Sequence, residues 1–141
     1  MTGISGALAI ITLLGIQLNL TETPNIDCQT INEAEGCYVF SENRIYVDVN
    51  SEDMEDTIYH ELAHALFYGN RHIEEMVEKN GSSDDETIDP AEKVAESYAF
   101  YMSCPEGMKE KYPELHQEFQ VFNTLLEKYI KSSNIEIQIG T

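Results

Sequence analysis

"YHELAHALFY", residues 59–68, carries two histidines four positions apart, with a glutamate directly after the first. In a helix turning about 100° per residue, His60 and His64 project about 40° apart on one face. Thr57 and Glu61 fall toward that side, while Ile58, Leu62, Ala65 and Leu66 point roughly the other way. Such a helix offers two imidazoles to one point and anchors itself through an apolar back.

The flanking residues define the rest of the architecture. Ser51 or Asp53 is expected to cap this helix, and acids at 52, 53, 55 and 56 suit its positive N-terminal end. Gly69-Asn70 should stop it. Upstream, "CYVF" and "RIYVDV" are β-rich runs joined by Ser41-Glu42-Asn43, a hairpin pattern. Residues 3–20, "GISGALAIITLLGIQLNL", are uncharged and read as a buried helix to about Leu14, a turn at Gly15, and a half-buried strand over Ile16–Leu20. The first basic residue is Arg44, so the basic region of a secretory signal is missing. Gln17 and Asn19 interrupt the ~20 apolar residues a membrane span requires, which leaves an uncleaved anchor as the less favoured alternative. Downstream, "RHIEEMVEKNG" reads as a short helix and "GSSDDETI" as an acidic loop. Asp89-Pro90 is a strong helix start for residues 90–103. A break follows at Cys104-Pro105. A last helix, Pro113 to about Lys131, spaces Leu115, Phe119, Phe122, Leu125, Leu126 and Tyr129 for core packing, and "NIEIQIG" within residues 134–141 alternates like an edge strand. The expected class is α+β, a small mixed β-sheet packed on helices, in a single domain over 1–141.

Composition narrows the partners. The 141 residues suit one domain, and 42% hydrophobic with 24% charged residues indicates a folded chain. Twenty-six acids against eight bases give a net charge of −18. Nucleic acids and anionic membranes are disfavoured, since their phosphates would be repelled. Cationic ligands suit it, either metal ions or basic peptides; the plain alternative is solubility. None of Cys28, Cys37 and Cys104 forms a CxxC pair, so a thiolate zinc site is disfavoured. Cys28 and Cys37 are open between a disulfide and two buried thiols. The cytoplasm is slightly preferred, a disulfide would imply an oxidising compartment with secretion as the alternative, and a monomer is expected.

Zinc binds imidazole nitrogens at about 2.0–2.1 Å, and an i, i+4 pair spans that geometry. A third protein ligand is then needed, with one position left open. "DPAEKVAESYAF" supplies candidates: Glu92 and Glu96 share a helical face flanked by Ala95 and Ala99, with Val94, Tyr98, Tyr101 and Met102 opposite as a core stripe. Spacing alone leaves Glu92 and Glu96 both open as ligand. The alternative for the first helix is two ordinary histidines and a surface Glu61, and the matching second helix weighs against it. His72 and His116 read as solvated helix residues. The aspartates of "SSDDETID" lack the spacing and glycine of an EF-hand loop.

HELAH matches the HExxH motif of zincin metallopeptidases, and a glutamate on a downstream helix marks their gluzincin branch. Over roughly residues 37–104 the chain resembles small gluzincins, the minigluzincins of archaea, and more distantly the catalytic domain of anthrax lethal factor. Glu92-Lys-Val-Ala95-Glu96-Ser-Tyr98-Ala99 follows the order of the glutamate helix in these families. The resemblance implies a zincin-like fold with an HExxH helix, a glutamate helix and a C-terminal helix. It implies that His60, His64 and Glu92 hold zinc, that Glu61 is the catalytic base, and that Glu96 accepts a hydrogen bond from a ligand histidine. The implied activity is hydrolysis of peptide bonds in a peptide or protein substrate laid as a strand along the hairpin of residues 37–49. Lethal-factor-like enzymes keep a tyrosine shortly before the glutamate helix; "SSDDETID" has none, which leaves the oxyanion donor unassigned. Two alternatives stand beside this. One is a latent enzyme blocked by residues 134–141, as the minigluzincin likeness implies; the other is a zinc-stabilised protein-binding module without catalysis.

Overall fold

The uncharged N-terminal run forms helix α1 (Gly3–Leu13), and the chain turns at Gly15, whose φ of +66° suits a residue without a Cβ. The computed structural model describes residues 1–30, 34–80 and 87–133. Among them, seven α-helices and a three-stranded mixed sheet make an α+β fold. α1 buries Ala7, Ala9, Ile10 and Ile11 in the core, and no helix among the described residues is long and apolar enough to cross a membrane.

The sheet has the order β1 (Gln17–Thr21), β3 (Arg44–Asp48), β2 (Gly36–Val39). β1 runs parallel to β3, pairing Gln17 with Arg44 and Thr21 with Asp48. β2 runs antiparallel to β3, with Gly36 opposite Val47 and Val39 opposite Arg44. The expected hairpin is present, and its link is a short 3₁₀ turn, Phe40–Glu42, closed by Asn43 in the left-handed region at φ 48°. β3 is central and alternates as a half-buried strand should, with Ile45 and Val47 fully buried. β1 does not sustain the expected alternation. Ile16 is buried and Leu18 half-buried, but Leu20 is 54% exposed. The strand lies at the sheet edge and leaves α1 at the Gly15 turn, so its apolar cover thins along its length. α2 (Pro24–Asp27) is a single turn between β1 and β2. A disulfide joins Cys28 to Cys37 and ties that stretch to β2.

Asp53, not Ser51, caps the histidine-bearing helix α3 (Met54–Phe67), its side chain accepting from the Asp56 N–H at 3.0 Å. The chain leaves α3 at Tyr68 and Gly69, and Asn70 caps α4 (Arg71–Lys79) by accepting from the Ile73 N–H. Asp89 caps α5 (Pro90–Ser103) with a 2.8 Å bond from the Ala91 N–H. The break read at Cys104-Pro105 is a restart, because proline is favourable at a first helical position and opens α6 (Pro105–Lys111).

The last helix, α7 (Pro113–Ser133), corrects one expectation. Leu115 and Phe119 are fully buried and Phe122 and Leu126 pack against the core, but Leu125 and Tyr129 are 52% and 64% exposed. The buried stripe passes instead through Asn123. That side chain accepts from the Tyr98 hydroxyl at 2.8 Å and donates to the Met1 carbonyl at 2.7 Å. These two bonds satisfy an amide that would otherwise be costly to bury. Around it Phe67, Tyr98, Tyr101, Phe119 and Phe122 form an aromatic cluster with neighbouring ring centroids 4.8–6.1 Å apart. The predicted edge strand at 134–141 and most of the acidic loop fall outside the described residues.

Candidate metal centre

α3 lies along α5, and small buried residues on the two helices, Ala63, Ala95 and Ala99, allow a close approach. Their apolar sides, Ile58 and Leu62 on one and Val94, Tyr98 and Met102 on the other, enter the common core. That burial fixes the rotation of both helices and turns His60, His64 and Glu92 toward one another. His60 Nε2 lies 3.0 Å from one Glu92 carboxylate oxygen, and His64 Nε2 lies 2.8 Å from the other. The two imidazoles stand 5.1 Å apart, nearly perpendicular.

Two carboxylates compete for the place of a third ligand. Glu61 is buried, and its oxygen lies within 4.8 Å of a nitrogen of each histidine. It makes no ion pair with either ring and instead accepts a hydrogen bond from the Tyr38 main-chain N–H. Glu92 contacts both rings, one per oxygen, and is the better-placed ligand. Glu96 sits on the exposed side of α5 and makes no hydrogen bond to either ring among the described residues. Its charge still reaches His60.

The electrostatics follow from these positions. Hydrogen bonds from His60 and then His64 outweigh desolvation and hold the Glu92 carboxyl well below the usual range. For His60, burial pulls the pKa down, but the bond to Glu92 and the charges of Glu61, Glu92 and Glu96 together raise it above its ordinary value. Burial pushes the Glu61 carboxyl up against the opposing pull of the two histidines. An acid that ionises closer to neutrality can both take and return a proton at working pH.

The donor set of two imidazole nitrogens and one carboxylate suits zinc. Ligands at 2.0–2.1 Å in a tetrahedral set stand about 3.3–3.4 Å from one another. The present contacts of 2.8 and 3.0 Å are therefore a few tenths of an ångström tighter, within reach of side-chain adjustment. The residues fit the ion.

The centre lies between two clefts. On the His64 side, about 690 Å³ is lined by Tyr38, Phe40, Phe67, Tyr68 and Val94 with Glu61 and Glu92. On the His60 side, about 600 Å³ is lined by Glu35, Gly36, Asp56 and Thr57 with the same two glutamates. His72 is exposed and pairs with Glu118 at 3.0 Å, and His116 stands edge-on to Tyr101; neither reaches the centre.

Sequence reasoning missed four residues. The Tyr38 N–H carries no side-chain signal. Lys93 is 4% exposed and pairs with Glu78 at 2.9 Å, bracing α4 against α5 beside Glu92; its helical position next to the apolar stripe was the available sign. The exposed aromatics Phe40 and Tyr68 stood in quoted runs but had no periodicity to mark them. No family model, curated protein or solved structure matches the chain.

Proposed function

We propose that this chain is a zinc-dependent peptidase of the small gluzincin type, with His60, His64 and Glu92 holding the ion and Glu61 serving as general base. The observation that carries the reading is the convergence of two imidazoles and the Glu92 carboxylate, drawn from separate helices, at 2.8–3.0 Å. A bound zinc supplies Lewis acidity to a water molecule and to the scissile carbonyl. Glu61 takes the proton of the attacking water and delivers it to the leaving amine nitrogen; its burial and raised pKa suit that exchange.

Substrate pairs with the outer edge of β2. β3 is flanked on both sides, so among the described residues only β2 of the two hairpin strands has a free edge, and that edge borders both clefts. The chain acts as a monomer, and the Cys28–Cys37 bond supports an oxidising compartment over the cytoplasm. The test is metal analysis paired with a peptide-library digest. About one zinc per chain is expected, with hydrolysis abolished in Glu61→Gln while zinc is retained. Undiminished hydrolysis in that variant removes Glu61 from its role.

A further inference from the structure

Phe40 and Tyr68 are large aromatic side chains left 69% and 76% exposed, whereas every other phenylalanine or tyrosine ring except Tyr129 is buried or half-buried. They come from different elements, Phe40 from the turn after β2 and Tyr68 from the end of α3. Their rings nonetheless stack at 5.3 Å with planes 30° apart, and Tyr38 meets Phe40 edge-on at 6.4 Å. Holding two rings in contact at the surface covers only part of their apolar area, so most of the transfer free energy remains available to a third apolar group.

The position of the pair says what that group is. Both rings line the cleft that also contains Glu61, His64 and Glu92, and Phe67 and Val94 continue the apolar wall inward. A peptide bond held at the centre therefore presents a neighbouring side chain to the pair. The chain enters β2 from Glu35, which lines the His60-side cleft, passes Gly36, which borders both clefts, and leaves the strand at Phe40 in the His64-side cleft. Antiparallel addition, the more stable ladder, places the residues before the scissile bond at the Phe40 end.

We propose that Phe40 and Tyr68 form a binding site for a bulky apolar side chain, Phe, Tyr, Leu or Met, on the N-terminal side of the scissile bond. The inference rests on the peptidase reading and extends it to substrate class. Both rings are exposed, so truncating them leaves the core intact.

The experiment compares two internally quenched peptides, identical except for Phe or Ala before the cleaved bond, on the zinc-loaded wild type and the Phe40→Ala/Tyr68→Ala double variant. Binding of the same peptides by the wild type and by the double variant is measured separately by titration. The wild type is expected to favour the phenylalanine peptide in kcat/KM by about tenfold to a hundredfold. The double variant should lose most of that ratio, chiefly through KM, with its zinc content and melting temperature retained. Phe40→Leu/Tyr68→Phe should restore most of it. Cleavage without such a preference, a preference confined to the C-terminal side of the bond, or one that survives the double substitution overturns the site while leaving the peptidase reading intact. Ring-dependent binding of the phenylalanine peptide without cleavage supports the site and overturns the peptidase reading. Neither cleavage nor binding overturns both.

Discussion

At the residue scale, Glu92 and Glu96 illustrate how one helical turn separates a carboxylate in contact with both histidines from one that touches neither. Both lie on the same side of α5, yet only Glu92 reaches the imidazoles, with one oxygen on each. Glu92→Ala should lower zinc affinity by at least about 100-fold, beyond the 10- to 100-fold typical of residues that merely support a ligand. Glu96→Ala should change it only a few-fold; competition with a fluorescent chelator measures both. The charges also set a pH dependence. His60 stands above its ordinary 6.5, so its contribution to metal-free stability is full below about pH 6.5 and is lost as pH rises through the raised value. Glu92 stands far below its ordinary 4.5, so its contribution is present above about pH 4.5 and is lost only in strong acid. The metal-free cluster should therefore contribute most between those limits. Zinc requires neutral rings, so its affinity should increase with pH as His60 loses its proton. Melting curves with and without zinc between pH 4 and 9 should show the gap widening toward alkaline pH; a constant gap contradicts the ligand assignment.

At the scale of elements, the centre depends on how closely β2 approaches α3. A Cβ on Gly36 would lie 2.7 Å from both the Thr57 methyl and the Tyr46 carbonyl, and 3.6 Å from Glu61 Cγ. The carbonyl is backbone and cannot step aside. Gly36→Ala should thus push β2 off both β3 and α3, costing about 1–3 kcal/mol in denaturant unfolding. The same shift would draw the Tyr38 N–H from Glu61, so activity should fall by more than zinc occupancy does. Equal losses would indicate that the strand acts only through stability. The disulfide from Cys37 to Cys28 tethers the same strand from its other side.

Across the whole molecule, net charge dominates the response to solvent. Twenty-six acids face eight bases, and the linings of the two clefts contain no lysine or arginine among the described residues. Self-repulsion on this scale opposes the compact state. Raising salt from about 0.01 to 0.15 M shortens the screening length from about 30 to 8 Å. The melting temperature of the metal-free protein should rise over that interval, and KM for peptides rich in Lys or Arg should rise with it. A melting temperature that falls with added salt would show that attractive pairs, such as Lys93–Glu78, outweigh the repulsion.

Local chemistry by itself determined a good part of this protein. The cap at Asp89, the stops at Gly15 and Gly69, and the four-residue spacings of His60–His64 and Glu92–Glu96 are set by neighbours within a turn, and such features are readable from residue order. The hairpin of β2 and β3 was legible for the same reason. Tertiary packing decided what depends on partners distant in the chain. It brought Glu92 and not Glu96 onto the two imidazoles, joined Cys28 to Cys37, left Leu20, Leu125 and Tyr129 exposed, and stacked Phe40 on Tyr68. Periodicity states which residues share a face, but the rotation of a helix against its neighbour follows from the burial of all its faces at once, and only the assembled core settles that balance.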